Sequence, residues 1–224
     1  MSVHALIPAA GRGARFGSLK QYVPIAGRPM LWHAVRAVCV PPVESVFVVL
    51  SAEDRAFARQ DWSAFEGTLQ PLYCGGETRR DSVYNALVAV TASVEADDWM
   101  LVHDAARPCL PRGDLDKLLS ELADDEVGGI LGLPVSETVK RVADGKIDST
   151  VDRSRLWLAQ TPQMFRTGLL MQALSRAKGA PTDEASAIEA LGLKPRVVAG
   201  SRDNFKVTWP ADLPIAEAIL RARQ

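Results

Sequence analysis

Residues 3–22, VHALIPAAGRGARFGSLKQY, run from an apolar segment into a loop with three glycines, two arginines and a lysine. The apolar part, residues 3–10, predicts a buried strand. Backbone amides freed by glycine, with cationic side chains beside them, suit a polyphosphate. A glycine-rich turn with ordinary surface arginines would also explain this stretch, so its meaning depends on the rest of the chain.

Apolar segments alternate with helical patterns along much of the chain. Further strands are predicted within residues 43–51, 69–75, 97–108, 127–135 and 194–200. Helices are predicted within residues 29–40, 52–62, 78–92, 112–124, 167–178, 182–192 and 210–220. Strands that are apolar throughout and separated by helices predict a mostly parallel α/β sheet with helices on both faces. Ligands bind such sheets at the carboxyl ends of the strands, near a switch in strand order.

Residues 136–155 break this pattern. The segment SETVKRVADGKIDSTVDR alternates apolar and polar residues around ADGK, which is a strong hairpin turn. It is too polar to join the central sheet, so we expect a hairpin that projects from the body; a disordered loop is the alternative. Since no repeat or long linker is present, we expect one domain over residues 1–224 with this β-arm as an insertion at about 136–155.

Bulk properties exclude several classes of protein. The net charge is −1, so no global basic field predicts nucleic-acid binding. The three cysteines are odd in number and widely spaced, which argues against a disulfide framework and favours the reducing cytoplasm. No signal peptide is expected, and no apolar run approaches the roughly 20 residues that span a bilayer.

The glycine loop matches neither of two familiar phosphate-binding motifs. The P-loop needs a Gly-Lys-Ser/Thr ending, which is absent. The dinucleotide fingerprint G-x-G-x-x-G fails because Phe16 stands where its third glycine belongs. Arg15 and Lys20 could nevertheless surround a triphosphate, with charge from their side chains and hydrogen bonds from backbone amides.

A second cluster, CGGETRRDSV, covers residues 74–83. Its two glycines would let a flat ring lie against the backbone, and Ser82 offers a hydroxyl. Thr78 is the predicted N-cap of the helix that follows. The alternative is a plain turn before a helix, with Arg79 and Arg80 exposed.

Two further clusters follow later strands. Asp104 comes directly after the apolar strand in LVHDAARPCL, where an unpaired carboxylate is costly, and a carboxylate there could hold magnesium beside a polyphosphate. A simple ion pair with Arg107 is the alternative. Later, TDEAS opens a helix with Thr182 as its predicted N-cap, and Lys206 lies in a short extended stretch before the last helix.

These clusters, in this order, resemble the 2-C-methyl-D-erythritol 4-phosphate cytidylyltransferases, nucleotidyltransferases of the non-mevalonate isoprenoid pathway. The matching segments extend from residue 8 to residue 208: PAAGRGARFG, KQY, GGETRRDSV, VHDAARP, TVDR, TPQ, TDEAS and NFKVT. VHDAARP together with TDEAS and KVT is specific, whereas the glycine loop alone is not. The resemblance implies a Rossmann-like nucleotidyltransferase sheet, a β-arm that forms a homodimer, Mg²⁺ as cofactor, and CTP and a polyol phosphate as substrates.

The resemblance also implies roles for matching residues. The catalytic set would be Arg15, Lys20, Arg153 and Lys206, with Arg15 and Lys20 stabilising the transition state at the α-phosphate. The CTP contacts, largely through backbone, would be Ala10, Gly11, Gly13, Gly76, Ser82 and Ala105. Asp104 would hold the metal. The acceptor site would comprise Arg107, Thr138, Arg153, Thr182 and Lys206, of which Thr138 and Arg153 lie on the arm and would come from the partner subunit.

One departure concerns the loop, because only FGSL separates Arg15 from Lys20 and Leu19 stands where the family usually has proline. The implied reaction is attack by the polyol phosphate on the α-phosphorus of CTP, which needs positioning and charge neutralisation but no protein nucleophile. A ribitol 5-phosphate cytidylyltransferase is one alternative. A non-catalytic nucleotide sensor is another, although a sensor does not need Lys20, Asp104 and Lys206 together.

Overall fold

The computed structural model describes residues 1–11, 16, 19–177, 179 and 181–223. The strands are β1 (Val3–Pro8), β2 (Pro24–Ile25), β3 (Arg28–Pro29), β4 (Val43–Val49), β5 (Leu69–Leu72), β6 (Trp99–Val102), β7 (Gly128–Pro134), β8 (Val139–Ala143), β9 (Lys146–Val151), β10 (Trp157–Arg166) and β11 (Arg196–Ala199). The α-helices are α1 (Met30–Val38), α2 (Arg79–Ala89), α3 (Arg112–Leu122), α4 (Thr167–Arg176), α5 (Glu184–Glu189) and α6 (Leu213–Arg221).

The central sheet has seven strands in the order β11-β7-β10-β6-β1-β4-β5. Neighbouring strands are parallel except at β10, which runs antiparallel to both β6 and β7. The apolar pattern did not predict β10, because its middle is polar and shifts register against β7 between Ala159 and Gln163. The strand order reverses direction beside β1, which places a binding crevice between the ends of β1 and β6.

Successive side chains of β1 supply two separate cores. Ala5 and Ile7 pack with α1 and α3 on one face, whereas Leu6 packs with α2 and α4 on the other. All three residues are fully buried. A strand covered on both faces is mostly apolar along its whole length, which is why residues 5–8 carry no alternation.

The predicted arm is a hairpin of β8 and β9, and its Val139 and Val151 are paired near its base. Asp144 and Gly145 turn the chain with φ of 50° and 74°, as a two-residue hairpin turn requires. Within the part of the chain that the structure describes, no third strand pairs with it. Val142 and Ile147 are 57% and 66% exposed, so the arm projects apolar side chains away from the body.

Two local predictions are wrong. Residues 52–62 form no α-helix but turns and a short 3₁₀ helix, because the Asp54 carboxylate accepts the Ala56 and Phe57 amides and starts a turn instead. The N-cap of α5 is Asp183 and not Thr182, with the Asp183 side chain accepting from the Ser186 amide. The predicted cap of α2 is confirmed, since Thr78 accepts from the Asp81 amide.

Among the described residues, no helix combines the length and the apolar character needed to cross a membrane.

Candidate active site

A cavity of about 910 Å³ opens at the carboxyl ends of β1, β4, β5 and β6. Each of these parallel strands contributes the residues that directly follow it, because their chain direction brings these ends to one edge of the sheet. The predicted site residues that line this cavity are Ala10, Gly11, Lys20, Gly76, Ser82, Asp104, Ala105 and Lys206. Gly13 and Arg15 lie outside the described residues.

A second cavity of about 240 Å³ adjoins the first. Its lining includes the predicted acceptor residues Arg107, Thr182 and Lys206. The two cavities share Arg79, Asp104 and Lys206. The arrangement therefore consists of a large chamber and a small one that meet at one carboxylate and two cations.

Lys20 begins a short 3₁₀ helix, Lys20–Tyr22, whose next two side chains anchor it. The buried Gln21 amide donates to the Ala9 carbonyl at 2.9 Å. The Tyr22 hydroxyl donates to Asp54 Oδ2 at 2.8 Å, and burial together with this carboxylate raises the pKa of Tyr22. These two contacts fix the backbone that presents Lys20 to the large cavity.

The glycines after β5 allow two loops to pack closely. A Cβ on Gly75 would lie 2.4 Å from the Ala10 Cβ, and one on Gly76 would lie 2.5 Å from the Asp81 Cβ. Ser82 closes this loop, since its hydroxyl accepts from the Gly76 amide and donates to the Thr78 carbonyl. Both positions therefore require glycine, because any side chain would collide with the loop after β1 or with the start of α2. The close packing of these segments forms this part of the cavity wall.

Three cations converge on Asp104, whose side chain is 8% exposed. Lys206 Nζ lies 2.9 Å from Oδ2, Arg79 Nε lies 3.2 Å from Oδ1, and Arg107 Nε lies 3.5 Å from Oδ2. Burial alone would raise the pKa of Asp104, but the nearby charges of Arg79, Lys206 and Arg107 hold it well below its usual range. The simple Asp104–Arg107 pair considered from the sequence is therefore one part of a larger cluster.

Arg79 is not the exposed arginine of a plain turn. Its guanidinium also donates two hydrogen bonds to the Glu184 carboxylate, from Nη1 to Oε1 at 2.6 Å and from Nη2 to Oε2 at 2.9 Å. The Glu184 side chain is 1% exposed. Burial alone would lower the pKa of Arg79, but the two carboxylates outweigh it and raise that pKa. Sequence patterns do not reveal this pair, because 105 positions separate its members.

Arg107 and Lys206 are held by backbone contacts between distant segments. Arg107 donates to the Asn204 carbonyl at 2.7 Å and to the Ala159 carbonyl at 3.3 Å. The Val207 amide donates to the Ala106 carbonyl at 2.9 Å. The stretch that carries Lys206 is thereby tied to the loop that carries Asp104, which directs both side chains to the junction of the cavities.

A buried hydrogen-bond chain supports Asp104 from behind. The Asp104 amide donates to the Thr161 hydroxyl, and that hydroxyl lies 3.1 Å from His103 Nδ1. His103 Nε2 lies 3.0 Å from the Arg107 carbonyl, which can only accept. We therefore assign the proton to Nε2, so that Nδ1 accepts from Thr161. Complete burial lowers the pKa of His103 to about 4, which keeps it neutral.

This neutral histidine predicts a loss of stability on acidification. The pKa of His103 is about 4 in the folded chain against 6.5 when unperturbed, so the unfolded chain binds the proton first as pH falls. The contribution of His103 to the free energy of unfolding should be constant above about pH 6.5 and fall by about 3 kcal/mol between pH 6.5 and 4. Urea unfolding across this pH range should show the slope, and His103→Gln should make it shallower; burial also lowers the pKa of His33, which leaves a remaining slope. Equal slopes for the two proteins would contradict the assignment.

Comparison with known proteins identifies the family. The family model described as IspD, 2-C-methyl-D-erythritol 4-phosphate cytidylyltransferase, matches residues 3–222. The chain belongs to this family. The cytidylyltransferase of Nitrosomonas eutropha is 52% identical over 225 residues, covering 98% of this chain and 97% of that protein.

Solved structures of these cytidylyltransferases share the fold. A crystal structure of 4-diphosphocytidyl-2C-methyl-D-erythritol synthase is 40% identical, with a TM-score of 0.87 and 98% of each chain covered. The 2-C-methyl-D-erythritol 4-phosphate cytidylyltransferase of Francisella tularensis is 34% identical, with a TM-score of 0.81 and 98% and 100% covered. The predicted family, α/β fold and nucleotidyltransferase class are confirmed, and neither the ribitol enzyme nor the sensor is favoured.

Cytidylyltransferase chemistry implies a divalent metal, so the donor set at Asp104 matters. Within the described ranges, no group of three or more His, Cys, Asp or Glu side chains could enclose an ion. Mg²⁺, however, is commonly held by one or two carboxylates together with substrate phosphates and water. Asp104 fits that role because it lines both cavities and, counting the described residues alone, each of its oxygens has one cationic contact nearer than 3.5 Å.

Thr138 and Arg153 lie apart from the other predicted cytidylyltransferase residues. They flank the base of the arm, directly before β8 and two positions after β9, and both are exposed. Neither belongs to the described lining of the two cavities. Within one chain the structure does not bring them to the site.

Proposed function

We propose that this chain transfers CMP from CTP to 2-C-methyl-D-erythritol 4-phosphate, giving 4-diphosphocytidyl-2-C-methyl-D-erythritol and pyrophosphate. The observation that carries the proposal is the meeting of a large and a small cavity at Asp104, Arg79 and Lys206. One cavity suits a nucleoside triphosphate, and the other suits a short phosphorylated polyol. Their shared wall is where the two phosphates would react.

The large cavity would hold CTP by backbone and charge. Ala10, Gly11, Gly76 and Ala105 line it with small residues that let a ligand approach the main chain, and Ser82 lies beside them. Lys20 stands on the same wall, on a backbone fixed by Gln21 and Tyr22. A fixed cation there would stabilise charge that develops on the α-phosphate, as would Arg15 of the loop.

The small cavity would hold the acceptor. Arg107, Thr182 and Lys206 line it, and Arg107 is already oriented by two backbone carbonyls. An oxygen of the acceptor phosphate attacks the α-phosphorus, a new P–O bond forms, and the bond to the leaving pyrophosphate breaks. Both reactants are anions, so the convergence of cations on this junction lowers their repulsion as they approach.

Asp104 would hold Mg²⁺ where the two cavities meet. The ion, when bound, supplies charge neutralisation and Lewis-acid polarisation of the phosphates. The chain's own contribution is to keep the Asp104 carboxylate ionised, through Arg79, Lys206 and Arg107. An ionised carboxylate is the form that can serve as a ligand.

The whole chain would act as one nucleotidyltransferase domain that forms a homodimer through its arm. Exposed apolar side chains at Val142, Ile147, Trp157 and Leu158 would be buried against a second subunit. An isolated two-stranded hairpin is marginal in water, which supports such burial. The described cysteines form no disulfide, which supports a reducing cytoplasm as the compartment.

A pyrophosphate-release assay tests the reaction. With CTP and Mg²⁺, the protein should turn over 2-C-methyl-D-erythritol 4-phosphate much faster than ribitol 5-phosphate. A preference for ribitol 5-phosphate would reassign the acceptor. Binding of CTP without turnover of either acceptor would identify a sensor and refute the proposed function.

Sharing of the site between subunits predicts complementation. Arg153→Ala and Lys20→Ala should each be nearly inactive, because Arg153 would reach the acceptor phosphate of the neighbouring subunit while Lys20 acts in its own. A heterodimer of the two variants should contain one site with both residues intact. Mixing should therefore restore part of the activity, up to roughly half per heterodimer, once subunit exchange is shown by tagged copurification. Heterodimers with no activity above the separate variants would show that Arg153 acts within its own chain.

A further inference from the structure

The fully buried Glu184 has no part in the mechanism above, yet its carboxylate receives both terminal nitrogens of Arg79. A buried ion pair of this kind usually adds little stability compared with apolar side chains of similar volume. The Arg79–Glu184 pair differs from an ordinary buried pair in its position, because Arg79 also contacts Asp104 and lines both cavities. Glu184 in turn opens α5, directly after two residues that line the small cavity, Thr182 and Asp183.

We infer that the Arg79–Glu184 pair positions the wall of the acceptor cavity relative to the Asp104 carboxylate. The inference rests on the proposed function, because it assigns the small cavity to the acceptor. The guanidinium joins the start of α2 to the start of α5, and its third contact orients the carboxylate at the junction. The three contacts come from three different nitrogens of one planar guanidinium, whereas an ammonium carries its three donors on a single nitrogen and lacks this fork.

Loss of the Arg79–Glu184 pair should raise the KM for the acceptor more than the KM for CTP. Arg79 is one residue of the CTP cavity, but the loops that form most of its wall are held independently of this pair, through Ala9, Gly75 and Ser82. The wall formed by Thr182 and Asp183 is held to Asp104 by Arg79 and Glu184. It has a further contact in the Gln163 amide, which donates to Asp183 at 2.9 Å. Loss of the pair would loosen that wall while leaving the nucleotide chamber formed.

The decisive variant replaces both partners, Arg79→Met with Glu184→Met. No buried charge is left unpaired by removing the two together, so the melting temperature should stay close to that of the wild type. Loss of a side chain that orients a site group commonly costs roughly 10–100-fold in activity, and we expect the KM for 2-C-methyl-D-erythritol 4-phosphate to rise by about 10-fold or more. The KM for CTP should change by less than about 3-fold.

Arg79→Lys is a second variant, which keeps a positive charge beside Glu184 but loses the paired hydrogen bonds of the guanidinium to both carboxylate oxygens. It should raise the acceptor KM in the same selective way, and it decides the question if the double variant does not fold. Arg80→Met is the matched control, since Arg80 is the next residue of α2 but binds the Leu174 carbonyl and Asp81 outside both cavities. Its acceptor KM should equal that of the wild type.

The outcomes separate the two proposals. An inactive wild-type protein would refute the proposed function. An active wild type whose Arg79→Lys and folded double variant keep the normal acceptor KM would show that the pair is only structural and overturn the inference. A rise in the CTP KM as large as that in the acceptor KM would also overturn it.

Discussion

Asp104→Asn is expected to lower kcat by about 10³-fold or more at saturating Mg²⁺. Charge stabilisation by a metal and its ligand is worth several kcal/mol, and each 1.4 kcal/mol is a factor of ten in rate. The amide also leaves three cations without the charge on which they converge. Steady-state pyrophosphate release over a range of Mg²⁺ concentrations measures the effect.

The same substitution should cost stability as well. Removing one partner of a buried ion cluster typically costs about 3–5 kcal/mol, and Lys206, whose side chain is 47% exposed, can relieve part of that by turning to water. Urea unfolding gives the loss, and rates must be compared at temperatures where the variant is folded. Asp61→Asn is the control, an exposed aspartate that pairs with Arg28 away from the cavities. Wild-type turnover by folded Asp104→Asn would remove Asp104 from the mechanism.

Lys20→Ala is expected to lower kcat by roughly 10²–10³, the usual loss of one preorganised charge-stabilising group. The KM for CTP should change less, because the contact with the α-phosphate strengthens as charge develops in the transition state. Gln21 and Tyr22 still anchor the backbone of this turn in the variant, and urea unfolding checks that it is folded. Initial rates at varied CTP and fixed saturating acceptor separate kcat from KM.

Lys117→Ala is the matched control for this variant. Lys117 lies on the outer side of α3, where it pairs with Glu121 and donates to the Ala199 carbonyl. Its loss should leave both kinetic constants unchanged. A normal kcat with only a raised KM for CTP in Lys20→Ala would reassign Lys20 to ground-state binding of the nucleotide.

The sequence by itself determined the class of fold and the elements that carry the chemistry. Residues 5–8 are apolar at every position, which indicates a strand whose two faces are both covered by helices. The turn at Asp144 and Gly145 could also be predicted, because Asp-Gly is one of the few pairs that readily adopt the positive φ angles of a two-residue hairpin turn. Asp104 could be singled out because a carboxylate directly after a buried strand demands a partner.

Local patterns failed where side chains compete with the backbone. Residues 52–62 carry helix-favouring residues, yet the Asp54 carboxylate takes the first amides and a turn results. The cap of α5 falls on Asp183 and not on Thr182, the residue before it; both residue types occur at N-caps, with Asp the more favoured. In both cases the residue types were compatible with two local structures.

Only the tertiary structure decided which groups meet at Asp104. Arg79 follows β5, Lys206 follows a 3₁₀ turn near the end of the chain, and Glu184 opens α5. Their pairing depends on strand order and crossover, which bring segments about 100 residues apart to one edge of the sheet. Periodicity and spacing predict the local structure of the segment that carries a side chain. The formation of a buried ion cluster depends instead on distances between side chains of different segments, which local patterns do not contain. That is why the sequence singled out Asp104 and, through the family resemblance, Lys206, whereas only the fold showed that Arg79 and Lys206 both contact this carboxylate and that Glu184 lies behind Arg79.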